Sequence, residues 1–480
     1  MAAWSKMIKG LANLAKGCII NVIDLKMILL EKFIIHLKGA HYFSYRLADH
    51  AFLKSFLVCA TIGVGPLSKR EFIGVNAIAE VHEMRENTTL LHGYTVIDEF
   101  TGAASVPIYQ TSTFHNSELY CPSQKHLYTR FSNPTTEALE DGLACLEKAT
   151  YAVAYASGMA AISTVLMLLK AGDHVIFPLE VYGGTCQFAT AILPNYQIET
   201  SFVDMADLAT VKASIRPNTR MIYLETPSNP LLKICDISEL VKLAKAYGVL
   251  TVADNTFMTS LYQEPLAMGV DIVVESVTKF INGHSDVVAG LAATNNEAIY
   301  NQLKLFQKNF GAIVGVEDAW LILRGMKTMG IRMEQAVKNA QQLANYLAKH
   351  PKVLKVHYPG LDSHPNHDTH LQQAKNGGAV LSFELASKEE LMTFTHRIQL
   401  PILAVSLGGV ESILSHPATM SHACLSSQAR LEQGLLMVCC ACLVVLKISK
   451  IYWPILSKHL LFKSICPDWL CLQSKSGFFY

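Results

Sequence analysis

Asp271-Ile-Val-Val-Glu275-Ser276-Val-Thr278-Lys279-Phe-Ile-Asn-Gly283-His284-Ser-Asp286-Val-Val-Ala-Gly290 is the stretch from which the rest of the chain can be read. A β-branched, apolar run stops abruptly at Ser-x-Thr-Lys and continues as polar Gly-His-Ser-Asp. The first part predicts a buried strand, and the second a loop at its C-terminal end. In open α/β sheets that edge is where ligands sit. Lys279, flanked there by two hydroxyls, is badly placed for solvent and well placed to form a Schiff base.

Further strand and helix signals alternate on either side. Tyr151–Ala156, His174–Phe177, Met221–Leu224 and Leu250–Ala253 read as strands, and Thr136–Lys148, Ala160–Leu169 and Ile237–Tyr247 as helices. This alternation predicts a mostly parallel sheet covered on both faces. Polar groups stand just past the strand ends: Tyr182, Asn229, Asp254 and Lys279. An aromatic, an amide, a carboxylate and an amine converging on one sheet edge are hard to explain by structure alone. Ser157-Gly158-Met159 opens an apolar helix, where backbone N–H groups and the helix dipole favour an anion. From about Glu334 the pattern changes to helix Gln335–Lys349, strand Val353–Val356, strand Gly378–Glu384 and helix Lys388–Ile398, a smaller α+β unit.

Composition bounds the function. The 480 residues suffice for two or three domains, and a net charge of +1 argues for neither nucleic acid nor an anionic membrane. No uncharged apolar run reaches the roughly 18 residues of a membrane helix. Of 12 cysteines, five (Cys439, Cys440, Cys442, Cys466, Cys471) lie after residue 434. The others are scattered singly and read as buried thiols of a reducing, cytoplasmic compartment. His364, His367 and His370 read as a solvated loop entering a helix, with no metal.

The chain resembles the Cys/Met-metabolism family of pyridoxal-phosphate (PLP) enzymes: cystathionine γ-synthases, cystathionine β- and γ-lyases and methionine γ-lyases. The resemblance runs from about Met84 to Gly434. Besides the lysine segment, it rests on Ser105-Val-Pro-Ile-Tyr-Gln-Thr-Ser-Thr-Phe114, Tyr128-Thr-Arg130-Phe-Ser-Asn133-Pro-Thr, Ser157-Gly-Met159, Tyr182-Gly-Gly-Thr185, Glu225-Thr-Pro-Ser-Asn229-Pro and Asp254-Asn-Thr-Phe257. It implies the aspartate-aminotransferase-like (fold type I) α/β architecture. The expected divisions are an N-terminal arm (84–134), a PLP-binding large domain (135–333) and a C-terminal small domain (334–434).

The resemblance also implies roles. Lys279 would carry PLP and act as base. Asp254 would keep the pyridine nitrogen protonated, Tyr182 would stack on the ring near the leaving group, and Asn229 would bond the ring oxygen. Ser157, Gly158, Met159, Ser276 and Thr278 would hold the phosphate, with Tyr128 and Arg130 reaching in from a neighbouring subunit. Ser406 would face substrate. The implied assembly is a homotetramer of active-site-sharing dimers. The expected reaction is C–S cleavage of a small sulfur amino acid in transsulfuration and methionine biosynthesis, the alternative being γ-replacement by a cystathionine γ-synthase. Val405 stands where many cystathionine-specific γ-enzymes carry a glutamate, and Gly184 where methionine γ-lyases carry a cysteine; both favour a cystathionine or homocysteine lyase.

Two segments depart from the family. Residues 1–83, with ten Lys/Arg against six Asp/Glu, read as a non-family extension, with a helix expected in Leu11–Ile35. The Arg-rich, Ser-rich signature of a targeting presequence is missing. After Gly434 the family continues with a strand containing Arg-Leu-Ser-x-Gly-Ile-Glu, whose arginine grips the substrate carboxylate. This chain reads Leu435-Leu-Met-Val-Cys-Cys-Ala-Cys-Leu-Val-Val445 instead. Permitted codons for Cys440–Leu446, read one base earlier, spell Arg-Leu-Ser-Gly-Gly-Ile-Glu. Residues 435–480 are therefore expected to be out-of-frame translation, which would leave a PLP-binding but impaired product and a small domain short of a strand and a helix. Codons incompatible with the shifted reading would end that expectation.

Overall fold

The structure is a computed structural model; it describes residues 86–443, apart from 95, 96, 99, 117–124, 399, 424, 425 and 436–438. The expected extension over 1–83 lies outside these residues, as does everything after 443.

Seven strands form the larger sheet: β1 (Tyr151–Tyr155), β2 (His174–Pro178), β3 (Glu199–Val203), β4 (Thr219–Glu225), β5 (Leu250–Asp254), β6 (Ile272–Glu275) and β7 (Gly290–Thr294). Their order is β1-β7-β6-β5-β4-β2-β3. The five strands β2 to β6 are parallel, whereas β7 runs antiparallel to both β1 and β6. Strands β2, β6 and β7 are buried along their whole length, which explains why β2 and β6 read as continuous apolar runs rather than alternations.

Helices close both faces. Helix Pro134–Leu146 starts where Asn133 caps it, accepting the Thr135 N–H at 2.9 Å, with proline at the first turn. The capping side chain also donates to the Tyr109 carbonyl at 2.9 Å, which ties the N-terminal arm to the helix. Leu139, Leu143 and Leu146 share its inner stripe and are 0–6% exposed. Each buried leucine contributes about 1.5–3 kcal/mol. Helix Ile237–Tyr247 begins at the Asp236 cap and ends at Gly248, whose φ of 64° suits glycine.

The smaller sheet joins β8 (Val353–His357), β9 (Val380–Leu385), β10 (Ile402–Leu403), β11 (Ile413–Ser415) and β12 (Cys439–Leu443) in the order β10-β11-β12-β9-β8. This corrects the expectation of a lost strand. The backbone of Cys439–Leu443 pairs antiparallel with both β11 and β9. A gap between two strands presents unpaired N–H and C=O groups on both sides, which any extended segment can satisfy. The expected loss of a terminal helix concerns residues outside those described.

The histidine loop needs a second correction. Helix His367–Gln373 does begin there, but His370 is buried and His364 and His367 are half-buried rather than solvated. His364 pairs with the Leu232 carbonyl (3.0 Å), His367 with the Pro359 carbonyl (2.8 Å) and His370, fully buried, with the Asn376 carbonyl (2.7 Å). They are structural bonds that pin the loop. Among the described residues no set of three His, Cys, Asp or Glu groups is gathered for a metal, and no helix is long and apolar enough to cross a membrane.

One buried carboxyl yields a stability prediction. Glu147, at the end of helix Pro134–Leu146, is 4% exposed. Neither of its oxygens has a partner at hydrogen-bonding geometry, though Ser260 and the carboxyl of Glu275 are its neighbours. Burial pushes its pKa up to about 7 from 4.5, with Glu264 adding to the rise. Its stabilising contribution is therefore full below pH 4.5 and is lost as pH rises through about 7, to the extent of about 3 kcal/mol. Glu147→Gln cannot ionise. Its melting temperature should match wild type at pH 4.5 and exceed it at pH 8; equal melting curves at both pH values would refute the assignment.

Candidate active site

The C-terminal edge of the parallel strands opens on a cavity of about 500 Å³. Its wall includes Ser157, Gly158, Met159, Tyr182, Asn229, Asp254, Ser276, Thr278, Lys279 and Ser406. Ten residues singled out by motif thus meet in one space. Tyr128 and Arg130 do not. Arg130 donates to the Lys308 carbonyl at 2.8 Å and lies over the rings of Tyr128 (5.6 Å) and Phe131 (5.0 Å), away from this cavity. A larger concavity, about 720 Å³, opens beside β8 and residues 231–234. None of the motif residues lines it, and His357 there is paired with Glu384 and Lys233 with Glu180. Chemistry belongs to the smaller cavity.

Lys279 follows β6 by four residues in a turn. Its N–H donates to the Ser276 carbonyl (3.0 Å) and its carbonyl accepts from Gly283 (2.8 Å). The loop carrying Ser406 packs directly on this turn. Gly408 has φ 85°, and a Cβ there would lie 2.5 Å from the Lys279 carbonyl carbon, so glycine is required. The Lys279 ammonium reaches Ser406 Oγ at 3.0 Å. Burial lowers its pKa from 10.5, which raises the share of neutral, nucleophilic amine.

Asp254 closes β5. Thr256 donates to Oδ1 through both its backbone N–H (3.1 Å) and its hydroxyl (2.6 Å), and the Tyr223 hydroxyl donates to Oδ2 at 3.2 Å. Thr256 Oγ1 in turn accepts the Ser276 N–H at 2.9 Å, which joins β5 to the turn before Lys279. Asp254 shows part of its surface to the cavity, but burial still raises its pKa, against the lowering effect of the three donors. Among the described residues it has no ion-pair partner. A carboxyl so placed could hold a protonated ring nitrogen.

The other end of the cavity suits an anion. Ser157 caps helix Gly158–Leu166 by accepting the Ala160 N–H at 3.0 Å. A Cβ on Gly158 would lie 2.9 Å from Ser276 Oγ, so only glycine lets helix start and turn approach this closely. The Thr278 hydroxyl is committed, donating to the Ala289 carbonyl at 3.1 Å. A carboxylate at one end, an amine in the middle and a helix N-terminus with hydroxyls at the other fit the ring nitrogen, aldehyde and phosphate of PLP.

Several lining residues escaped the sequence reading: Glu225, Thr256, Ser415 and Ser421. Glu225 and Thr256 sit inside quoted motifs, so their proximity was visible but not their work. Ser415 on β11 and Ser421 reach the cavity only because the smaller sheet folds back over the larger one.

Residues 87–440 match the family described as Cys/Met metabolism PLP-dependent enzyme. The chain is 51% identical over 354 residues to cystathionine beta-lyase MetC of Bacillus subtilis (strain 168), covering 74% of this chain and 90% of that protein. It is 43% identical over 355 residues to cystathionine gamma-lyase of the same organism, covering 73% and 93%. The crystal structure of cystathionine gamma-lyase from Lactobacillus plantarum, complexed with L-serine, superimposes with a TM-score of 0.77 at 40% identity, over 78% of this chain and 98% of that one.

Proposed function

The chain belongs to the Cys/Met metabolism PLP-dependent enzyme family, and from that premise we propose that it is a C–S lyase acting on cystathionine by β-elimination. The observation that carries the reading is the Lys279 amine, held 3.0 Å from Ser406 in a cavity that also presents Asp254. Identity to a β-lyase (51%) exceeding that to a γ-lyase (43%) supports the β position. Val405, 62% exposed at the cavity wall, adds no charge there and leans toward a lyase that also tolerates smaller sulfur amino acids.

Bound PLP supplies an electron sink for the carbanion formed at the substrate Cα. The chain does the rest. Lys279 would hold the cofactor, and its Nζ would take the Cα proton of the substrate. The Ser406 hydroxyl keeps that nitrogen in place. Asp254 holds the proton on the ring nitrogen, Asn229 bonds the ring oxygen and Tyr182 covers the ring. Ser157, Gly158, Met159 and Ser276 bind the phosphate, and Thr278 joins them by turning its hydroxyl away from the Ala289 carbonyl. Tyr128 and Arg130, being outside their own cavity, serve the neighbouring subunit in a cytoplasmic homotetramer.

Product analysis tests the reading. β-Elimination from L-cystathionine releases homocysteine and pyruvate, whereas γ-elimination releases cysteine and 2-oxobutanoate. Pyruvate is the expected keto acid. 2-Oxobutanoate instead, or cystathionine formed from O-acyl-homoserine and cysteine, would replace it with the γ reading or with γ-replacement.

A second reading is favoured by one feature. No arginine lines the cavity among the described residues, and the family match ends at residue 440. On this reading 435–480 are out of frame, and the chain loads PLP but grips substrate poorly.

A further inference from the structure

Glu225 ends β4, is 7% exposed and stands directly opposite Asp254 in the β4–β5 register. Its two oxygens are divided between two loops. Oε2 accepts the backbone N–H of Tyr182 at 2.9 Å, and Oε1 accepts the backbone N–H of Asn229 at 2.8 Å. Tyr182 and Asn229 both line the cavity, and neither belongs to a strand. Tyr182 lies four residues past β2 and Asn229 four past β4. No ladder therefore sets their spacing; the Glu225 carboxylate spans it. The small-domain segment closes the Tyr182 side, since a Cβ on Gly183 would lie 2.1 Å from the Ser421 carbonyl oxygen.

We propose that Glu225 is a positioning residue, a single buried carboxylate that sets the separation of Tyr182 and Asn229 across the slot for the cofactor ring. The inference rests on the reading that this cavity takes PLP. The geometry demands a carboxylate. Two N–H donors converge from opposite sides, and only Asp or Glu offers two acceptors on one rigid plane. Glutamine offers one acceptor, so one amide would face an NH₂ group. Aspartate is one methylene too short to reach both. The position is costly for an acid, because burial and the neighbouring Asp254 carboxylate push the Glu225 pKa well up, and only the two N–H bonds oppose this. A carboxyl serving packing alone would be better replaced by an apolar group.

The test uses Glu225→Gln in the full chain, with Glu140→Gln as the comparison. Glu140 is another buried carboxyl of the large sheet's cover. It accepts the Ala154 N–H (3.1 Å) and pairs with Lys304 (3.0 Å), but lies off the cavity. The melting temperature is measured without cofactor, PLP affinity by titrating the near-visible absorbance of the loaded chain, and kcat and KM with L-cystathionine. Leaving one buried N–H without its acceptor should weaken PLP binding by about ten- to a hundred-fold in Glu225→Gln. Its kcat should fall more than its KM rises. Glu140→Gln should lower the melting temperature and leave PLP affinity within about threefold. Wild-type PLP affinity in Glu225→Gln would overturn the proposal. So would equal weakening in both variants, which would mark a merely structural role. If Glu225→Gln does not fold, Glu225→Asp takes its place with the same two outcomes. A wild-type chain that takes up no PLP would overturn the cofactor reading itself and the brace with it, whereas a loaded wild type and an equally loaded variant overturn the brace alone.

Discussion

Lys279→Ala is expected to abolish the near-visible absorption that PLP acquires on a lysine amine, and to cut cystathionine turnover by about 10⁴-fold, the upper end for a positioned proton-transfer group. No other amine can substitute, because Lys279 is the sole lysine lining the cavity among the described residues. Its position is set by its turn, by the close passage of Gly408 and by Ser406. The loss should be chemical rather than structural. Burial lowers the Lys279 pKa, so in the cofactor-free chain its charged form is disfavoured by folding. For a lysine lowered in this way, the folded state loses stability as pH falls from the unfolded value of 10.5 through the folded pKa. Lys279→Ala should therefore melt no lower than wild type without cofactor, and gain relative to it as pH drops through that window. Lys279→Arg keeps a cation that cannot deprotonate, and should be as inactive as the alanine variant. A retained band, or turnover within tenfold of wild type, would remove Lys279 from the mechanism.

Ala441→Arg is expected to raise kcat/KM for cystathionine by thirty- to several-thousand-fold. If 435–480 are out of frame, the codons for Cys440 and Ala441 are the ones that would spell the family's arginine. The β11–β12 register sets residue 441 opposite Ser415, which lines the cavity. Directly paired residues of an antiparallel ladder share a sheet face, so the register puts position 441 on the face of Ser415. A carboxylate buried without its partner costs about 2–5 kcal/mol, and each 1.4 kcal/mol is tenfold. Cys442→Arg supplies the control: the register sets position 442 opposite Leu381 and Leu414 rather than Ser415, and it should give no gain. Keto-acid release measured for the three chains decides the matter. If Ala441→Arg gains nothing while PLP loading is normal, substrate is gripped by some other group, and the explanation by a lost arginine fails.

Much of the fold was legible because local signals agreed with one another. Strands β2, β4, β5 and β6 fall within two residues of their expected bounds, and helix Ile237–Tyr247 falls on them. Each of those strands is a β-branched or apolar run bounded by turn residues, and the helix has a cap at both ends. β7 was missed. Gly-Leu-Ala-Ala-Thr has neither alternation nor bulk, and its antiparallel place between β1 and β6 depends on partners more than a hundred residues apart along the chain. β12 was excluded because its sequence does not match the family, yet strand formation there needs only two unpaired neighbours.

By itself, the sequence determined the chemistry: an amine, a carboxylate, an amide and a glycine-opened helix stand just past successive strand ends, and parallel β/α order brings strand ends together whatever their separation in the chain. What only the tertiary structure decided was which neighbours hold those groups. Thr256 bridging Asp254 to Ser276, Ser406 meeting Lys279 across 127 residues, and Glu225 joining two loops are all contacts between segments with no shared periodicity. Hydrogen bonds of this kind depend on distances of a few tenths of an ångström between packed elements, and a pattern of residue types carries no such distance.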